Sequence, residues 1–181
     1  MKLILIHRNV ESETLLLNSF KSDCIIKKQS DYNNVEELIN GLTDLSGITH
    51  LTFVYKFYGN YNIPFLHYYK KSEYQYFNPN IISLINTLKS NNSELIVDIL
   101  SCNLNSEAFI ECVNKIETDL SIDIRYSVDQ TGNNSNGNWN LESDNVDVKD
   151  LYFTESILGW TGKLDSVFYG PLIQSGESTE Y

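Results

Sequence analysis

An α/β fold with a mostly parallel sheet and helices on both faces follows from three features of the chain. Short aliphatic runs recur at Lys2–Ile6, Cys24–Lys28, 50–55, 94–100 and 122–128. Between them lie stretches with apolar residues at helical spacing, such as Val35, Leu38, Ile39 and Leu42, or Phe109, Cys112, Val113 and Ile116. Glycine and asparagine punctuate the joins. Strands that alternate with helices pair in parallel through right-handed crossovers, which cover both sheet faces.

The first run, KLILI, is continuously apolar, as a strand buried on both faces requires. A short helix is expected from Ser12 through Leu15, Leu16, Leu17 and Phe20. The second strand covers Cys24–Lys28, and a second helix follows it, closed by Gly41 and Gly47. The third strand, 50–55, leads into a tyrosine-rich stretch with Gly59 and Pro64, read as loop or hairpin over 57–80. Ile81, Ile82, Ile85 and Leu88 then mark a helix. The run LIVDIL forms the fourth strand, a helix extends from about Ser106 to Leu120, and 122–128 is the fifth strand. Thr131 to Gly137 is a turn, 139–142 and 146–148 pair as a small hairpin, and 154–158 forms a last short helix. One domain is expected over 1–162, with a C-terminal tail over 163–181.

The bulk properties limit the function classes. A chain of 181 residues holds one substantial core, and 41% apolar with 20% charged residues is a globular balance. A formal charge of −11 supplies no basic surface for phosphates, so nucleic acid and anionic membrane are not expected partners. The three cysteines, Cys24, Cys102 and Cys112, fit no zinc spacing and no disulfide framework. No metal or cofactor is expected. The start, MKLILIHRNV, has too short an apolar run for a signal peptide or a membrane span. A cytoplasmic protein, or one inside a particle assembled in a cytosol, is therefore expected.

Catalytic groups in open α/β sheets gather beyond the carboxyl ends of the strands. That edge holds His7 and Arg8 after strand one, Lys56 and Phe57 after strand three, Ser101 to Asn103 after strand four, and Asp129 after strand five. Cys102 is the candidate nucleophile, because a thiol in a strand-to-helix turn faces the amides of the next helix. A small buried packing residue is the competing reading. Cys24 and Cys112 are expected in the core.

A thiol nucleophile also needs a base in reach. His50 begins strand three and lies at the wrong edge, and His67 sits in the tyrosine-rich excursion. His7 is at the correct edge but about two strand spacings, roughly 9–10 Å, from Cys102. Asp129 and Glu142 flank a turn as a candidate acid pair, with solvated side chains as the alternative. Phosphate-binding glycine loops, H-E-x-x-H and G-x-S-x-G are absent from the sequence.

Three motifs carry a resemblance: SCN after strand four, the D-x-T-G turn with G-x-W-x-L-E (Asp129, Thr131, Gly132, Gly137, Trp139, Leu141, Glu142), and LGWTG after the last short helix. Residues 1–162 resemble the caspase-like domain of unknown function found near the start of large bacterial surface adhesins. That family is similar to the caspase and gingipain clan, whose dyad is a His-Gly after strand three and a Cys after strand four. The resemblance implies a caspase-like fold with Cys102 at the nucleophile position. Lys56 and Phe57 stand at the His-Gly position, and His7 replaces an acidic residue of strand one. A lysine does not replace imidazole as a base at neutral pH unless its pKa falls far, and a phenylalanine crowds a substrate path.

The expectation is thus a catalytically inactive caspase-like domain acting as a protein-binding or assembly module, for instance a component of a larger particle. A cysteine peptidase, self-processing or not, with Cys102 and a relocated His7 or His67 is the alternative. The tail carries Phe168, Tyr169, Leu172 and Ile173 around Gly170 and Pro171, an apolar cluster suited to a protein partner or a homo-oligomer.

Overall fold

The computed structural model describes residues 1–42, 45–57, 67–68, 76–77 and 79–165. Five strands form one all-parallel sheet: β1 (Lys2–Ile6), β2 (Cys24–Lys28), β3 (His50–Val54), β6 (Ile96–Leu100) and β7 (Asp123–Tyr126), in the order β2-β1-β3-β6-β7. The helices between them are α1 (Thr14–Asn18), α2 (Val35–Asn40), α3 (Pro79–Asn91) and α4 (Glu107–Leu120). Within the tyrosine-rich excursion, β4 (His67–Tyr68) and β5 (Tyr76–Phe77) pair antiparallel. A second antiparallel pair, β8 (Asn140–Leu141) and β9 (Val146–Asp147), precedes α5 (Lys149–Tyr152) and a 3-10 turn at Glu155–Gly159. The expected α/β class, parallel sheet and C-terminal hairpin are all present.

Because side chains alternate along a strand, one sequence run feeds two cores. Leu3, Leu5, Leu51, Phe53, Val97 and Ile99 point to one face and pack under α2, α3 and α4, through Leu38, Leu84, Leu88 and Val113. Ile4, Ile6, Val54 and Leu100 point to the other, where Leu16, Trp139, Tyr152, Phe153 and Trp160 cover them. Both faces are dry, which is why the central strands read as unbroken aliphatic runs. Local signals start the helices: Asn34 Oδ1 accepts the Glu37 amide at 2.8 Å, and Ser106 Oγ accepts the Phe109 amide at 3.2 Å.

The last segments differ from expectation in detail. The helix expected over 154–158 is a 3-10 turn, and α5 stands just before it. Four residues are too few for a 3.6-residue period to show in the sequence. Residues 163–165, expected in the tail, lie on the domain, with Leu164 fully buried.

One row of polar residues crosses the sheet. Thr52, Asp98 and Arg125 stand in register on β3, β6 and β7. The Arg125 guanidinium donates to both Asp98 oxygens, at 2.6 and 2.7 Å. Tyr152, at the end of α5, donates its hydroxyl to Asp98 Oδ2 and accepts from Thr52 Oγ1 at 2.8 Å. Asp98, Thr52 and Tyr152 are each at 0% exposure, so every polar bond here is made inside the protein.

Removing one partner of such a pair strands the other charge in the interior. Asp98→Ala should therefore lose about 3–5 kcal/mol in urea unfolding, and the double replacement Asp98→Leu with Arg125→Met should lose less than that single one. A double replacement as damaging as Asp98→Ala would refute the view that the stranded guanidinium causes the loss.

Candidate functional site

The strand order places the carboxyl ends of β3 and β6 side by side at the centre of the sheet, with β1 on the far side of β3. Ser101, Cys102 and Asn103 leave β6 in a sharp turn. Asn103 takes φ of +56°, a left-handed conformation that asparagine adopts more readily than most residues, and its amide reaches the Asp129 carbonyl at 2.7 Å. The turn delivers Cys102 inward. Its side chain is completely buried, its sulfur accepts the Thr131 amide at 3.2 Å, and its thiol points to the Thr131 carbonyl at 3.6 Å. α4 begins only at Glu107, with Ser106 already capping it. Burial pushes the Cys102 thiol up to about 12 despite the Thr131 amide. It is a neutral packing group at physiological pH.

Beyond β3, Lys56 is held at both ends. The Asn9 side chain clasps its backbone, accepting the Lys56 amide at 3.1 Å and donating to its carbonyl at 2.9 Å. The Lys56 ammonium pairs with Glu13, whose other oxygen accepts the Trp160 indole N–H at 3.0 Å. Burial raises the Glu13 pKa, but the bonds from Lys56 and Trp160 outweigh it and hold the carboxyl below its ordinary value. Phe57, half-buried, packs against both cores.

His7 follows β1, which β3 separates from β6 and Cys102. His7 is half-buried after β1, its amide bonded to the Val54 carbonyl at 3.0 Å and its Nδ1 accepting the Asn9 amide at 3.3 Å. Burial lowers its pKa. Among the described residues, the hydrogen-bond partners of the Cys102 sulfur are the two backbone groups of Thr131. His50 stands at the opposite edge beside Thr49 Oγ1, at 2.9 Å. The His67 side chain, and Phe168, Tyr169, Leu172 and Ile173, lie outside the described residues. Glu142 accepts the Val128 backbone amide at 2.9 Å, and the Asp129 carboxylate accepts from the Asn138 side chain, Nδ2, at 3.3 Å.

A strap closes this edge. Lys163, Leu164 and Asp165 run across the ends of β3 and β6, bridging to Gly132 on one side and Phe57 on the other. The Leu164 carbonyl accepts the Phe57 and Cys102 amides at 3.2 and 3.1 Å, and the Leu164 amide reaches the Thr131 carbonyl at 2.8 Å. The glycines of the T-G and W-T-G motifs make this approach possible. A Cβ on Gly132, at φ +144°, would sit 2.5 Å from the Gly162 carbonyl oxygen, and one on Gly162 would sit 2.6 Å from the Trp160 ring. Asn133 locks the joint, its amide bonded to the Gly162 carbonyl at 3.0 Å and its side chain linking Trp139 and Ile157. The sequence marked these motifs, but their mutual contact and the strap went unread. The one signal available was an aliphatic Leu164 directly after a W-T-G turn.

Fold and site together define an α/β domain whose central sheet edge is sealed by its own C-terminal segment. No family model, curated protein or solved structure matches the chain. Among the described residues, no group of three or more His, Cys, Asp and Glu side chains is arranged to hold a metal, and no helix is long and apolar enough to cross a membrane.

Two outcomes follow from the protonation states. Iodoacetamide should modify Cys102 more slowly than Cys24 or Cys112, and should still do so at about pH 9, because a thiol near 12 is then only about one part in a thousand thiolate; mass spectrometry of the labelled peptides reads this directly. Selective, fast labelling of Cys102 would contradict it. For Glu13 the lowered pKa means that its stabilising effect is complete above its ordinary value of 4.5 and is lost as pH falls through the lowered one. Glu13→Gln should accordingly flatten the acid limb of the melting temperature against pH. An unchanged acid limb would place the acid sensitivity elsewhere.

Proposed function

We propose that this chain is a catalytically inactive, caspase-like domain that works as a protein-binding or assembly module inside the cell or inside a particle built there. The observation that carries this reading is the state of the two positions a caspase-type dyad would use. At the nucleophile position the Cys102 thiol is neutral and fully buried, bonded to the Thr131 backbone. At the base position Lys56 is committed to Glu13. A protonated ammonium paired with a carboxylate has no lone pair to take a thiol proton, and a buried thiol offers no path to a scissile carbonyl.

A binding role accords with the surface chemistry. With a formal charge of −11 the chain repels phosphates, so a protein partner fits better than nucleic acid or an anionic membrane. Phe168, Tyr169, Leu172 and Ile173 supply the aromatic and aliphatic anchors on which such contacts depend.

The test is incubation with a broad peptide library and with the chain itself, analysed by mass spectrometry. No cleavage is expected. Cleavage abolished by both Cys102→Ala and His7→Ala would replace this reading with a peptidase whose histidine is relocated. Light scattering of the full chain beside a Phe168→Asp, Tyr169→Asp variant tests the tail: the expected result is a larger species, alone or with partner, that the variant no longer forms.

A further inference from the structure

The parallel sheet has two edges, β2 and β7, and the chain treats them differently. Every second residue of an edge strand turns its N–H and C=O away from the sheet. On β7 and just beyond it, side chains of the same chain close these groups. Glu117 Oε1 accepts the Ile124 amide at 2.8 Å, Ser143 Oγ the Tyr126 amide at 2.9 Å, and Glu142 Oε2 the Val128 amide at 2.9 Å. The β2 edge is open. The Lys2 amide donates to the Asp23 carbonyl at 3.0 Å, so residues 23, 25 and 27 face β1 while 24, 26 and 28 face outward. The Lys21 carbonyl takes the Cys24 amide at 3.0 Å, but among the described residues the Ile26 N–H and C=O and the Lys28 N–H make no hydrogen bond. All five residues of β2 are partly exposed, whereas three of the four in β7 are buried. The open strand, CIIKK, also ends in two lysines. Arg8 stands beside them, its amide bonded to Gln29 Oε1 at 3.3 Å. Among the described residues neither lysine nor Arg8 enters a salt bridge, in a chain whose formal charge is −11. Asp23 is paired with Lys2 at 2.5 Å and Glu11 accepts the Ser30 amide at 2.9 Å, which leaves Asp31, past the end of the strand, as an exposed acid.

We propose that the β2 edge is a strand-addition site for an acidic extended segment of a partner protein. The outward groups of Ile26 and Lys28 supply the backbone bonds by which a sheet takes up a further strand, and the side chains of CIIKK set its sequence. Residues opposite one another share a face, so two adjacent acids of the incoming strand meet Lys27 and Lys28, and two adjacent aliphatic residues meet Ile25 and Ile26. The same lysines discriminate against a second copy. The antiparallel register that uses both Ile26 and Lys28 places the two Lys27 side chains opposite each other, between chains of the same negative charge. The inference rests on the binding-module reading and gives it a site and a partner chemistry.

Hydrogen exchange followed by NMR on the native full chain reads this edge amide by amide. In the free protein the Ile26 and Lys28 amides should exchange about ten-fold or more faster than those of Ile25 and Lys27, which bond to β1. The probe is the blocked peptide Thr-Glu-Glu-Val-Val-Thr. At about millimolar concentration it should slow exchange at Ile26 and Lys28 about two-fold or more, while Thr-Lys-Lys-Val-Val-Thr should not. Replacing Lys27→Glu together with Lys28→Glu keeps the backbone bonds to β1 and should reverse the preference between the two peptides. Equal protection by both peptides, or by neither, overturns the proposal. So does slow exchange of Ile26 and Lys28 in the free protein, which would mean that the chain covers this edge itself, and so does protection that rises with protein concentration instead of peptide, which would assign the edge to a second copy. If the double variant unfolds, the comparison of the two peptides on the native chain decides alone. Loss of the edge proposal leaves the inactive reading standing, and peptide cleavage by the native chain would end that reading without touching the edge.

Discussion

A carboxylate in the middle of the interior β6 strand is the constraint around which the rest of this structure is organised. Asp98 has no access to water, so its two oxygens must be satisfied by groups the fold brings to it. Arg125 comes from the neighbouring strand in register, and Tyr152 comes from α5 on the layer above. Register on one side of β6 and the seat of the C-terminal layer on the other therefore depend on the same residue. A slip of β7 by one position would turn Arg125 to the helical face and leave Asp98 unpaired. The aromatic cover formed by Trp139, Phe153 and Trp160 then settles beside Tyr152, with Trp139 and Phe153 rings 4.5 Å apart.

Much of the fold was legible because both faces of the sheet are dry. KLILI, HLTFV and IVDIL announce buried parallel strands, and α3 and α4 are long enough to show their period. The unread parts share a physical cause: each depends on a partner distant in sequence. LIVDIL reads as an apolar strand, yet the acid within it needs a cation from a neighbouring strand, and the arginine of DIRY supplies it. α5 is one turn long and is held by tertiary contacts rather than by propensity. The strap resembles any terminal stretch until Gly132 and Phe57 are placed beside it.

The site shows a similar division. Of the residues the edge rule picks out, Phe57 and Cys102 lie beyond the adjacent strands β3 and β6 and share the Leu164 carbonyl, whereas Thr131, which bonds the Cys102 sulfur, was not among them. Sequence alone assigned roles by residue type, and a cysteine after a central strand suggests a nucleophile. Burial sets the chemistry differently. A sulfur enclosed by backbone groups behaves as a small apolar side chain with a weak hydrogen bond on either side. The chemistry of Cys102 follows from its burial and from the Thr131 backbone that bonds its sulfur.

The strap also imposes an order on biosynthesis. A chain emerging from the ribosome presents all five sheet strands by Tyr126, well before Leu164 exists. The amides of Phe57 and Cys102 and the aliphatic socket between them must wait, hydrated, for a residue 62 positions beyond the cysteine, as the numbers 102 and 164 show. Closure of this edge cannot precede the synthesis of Leu164, and until then a newly made chain displays to its neighbours the surface that the finished one hides.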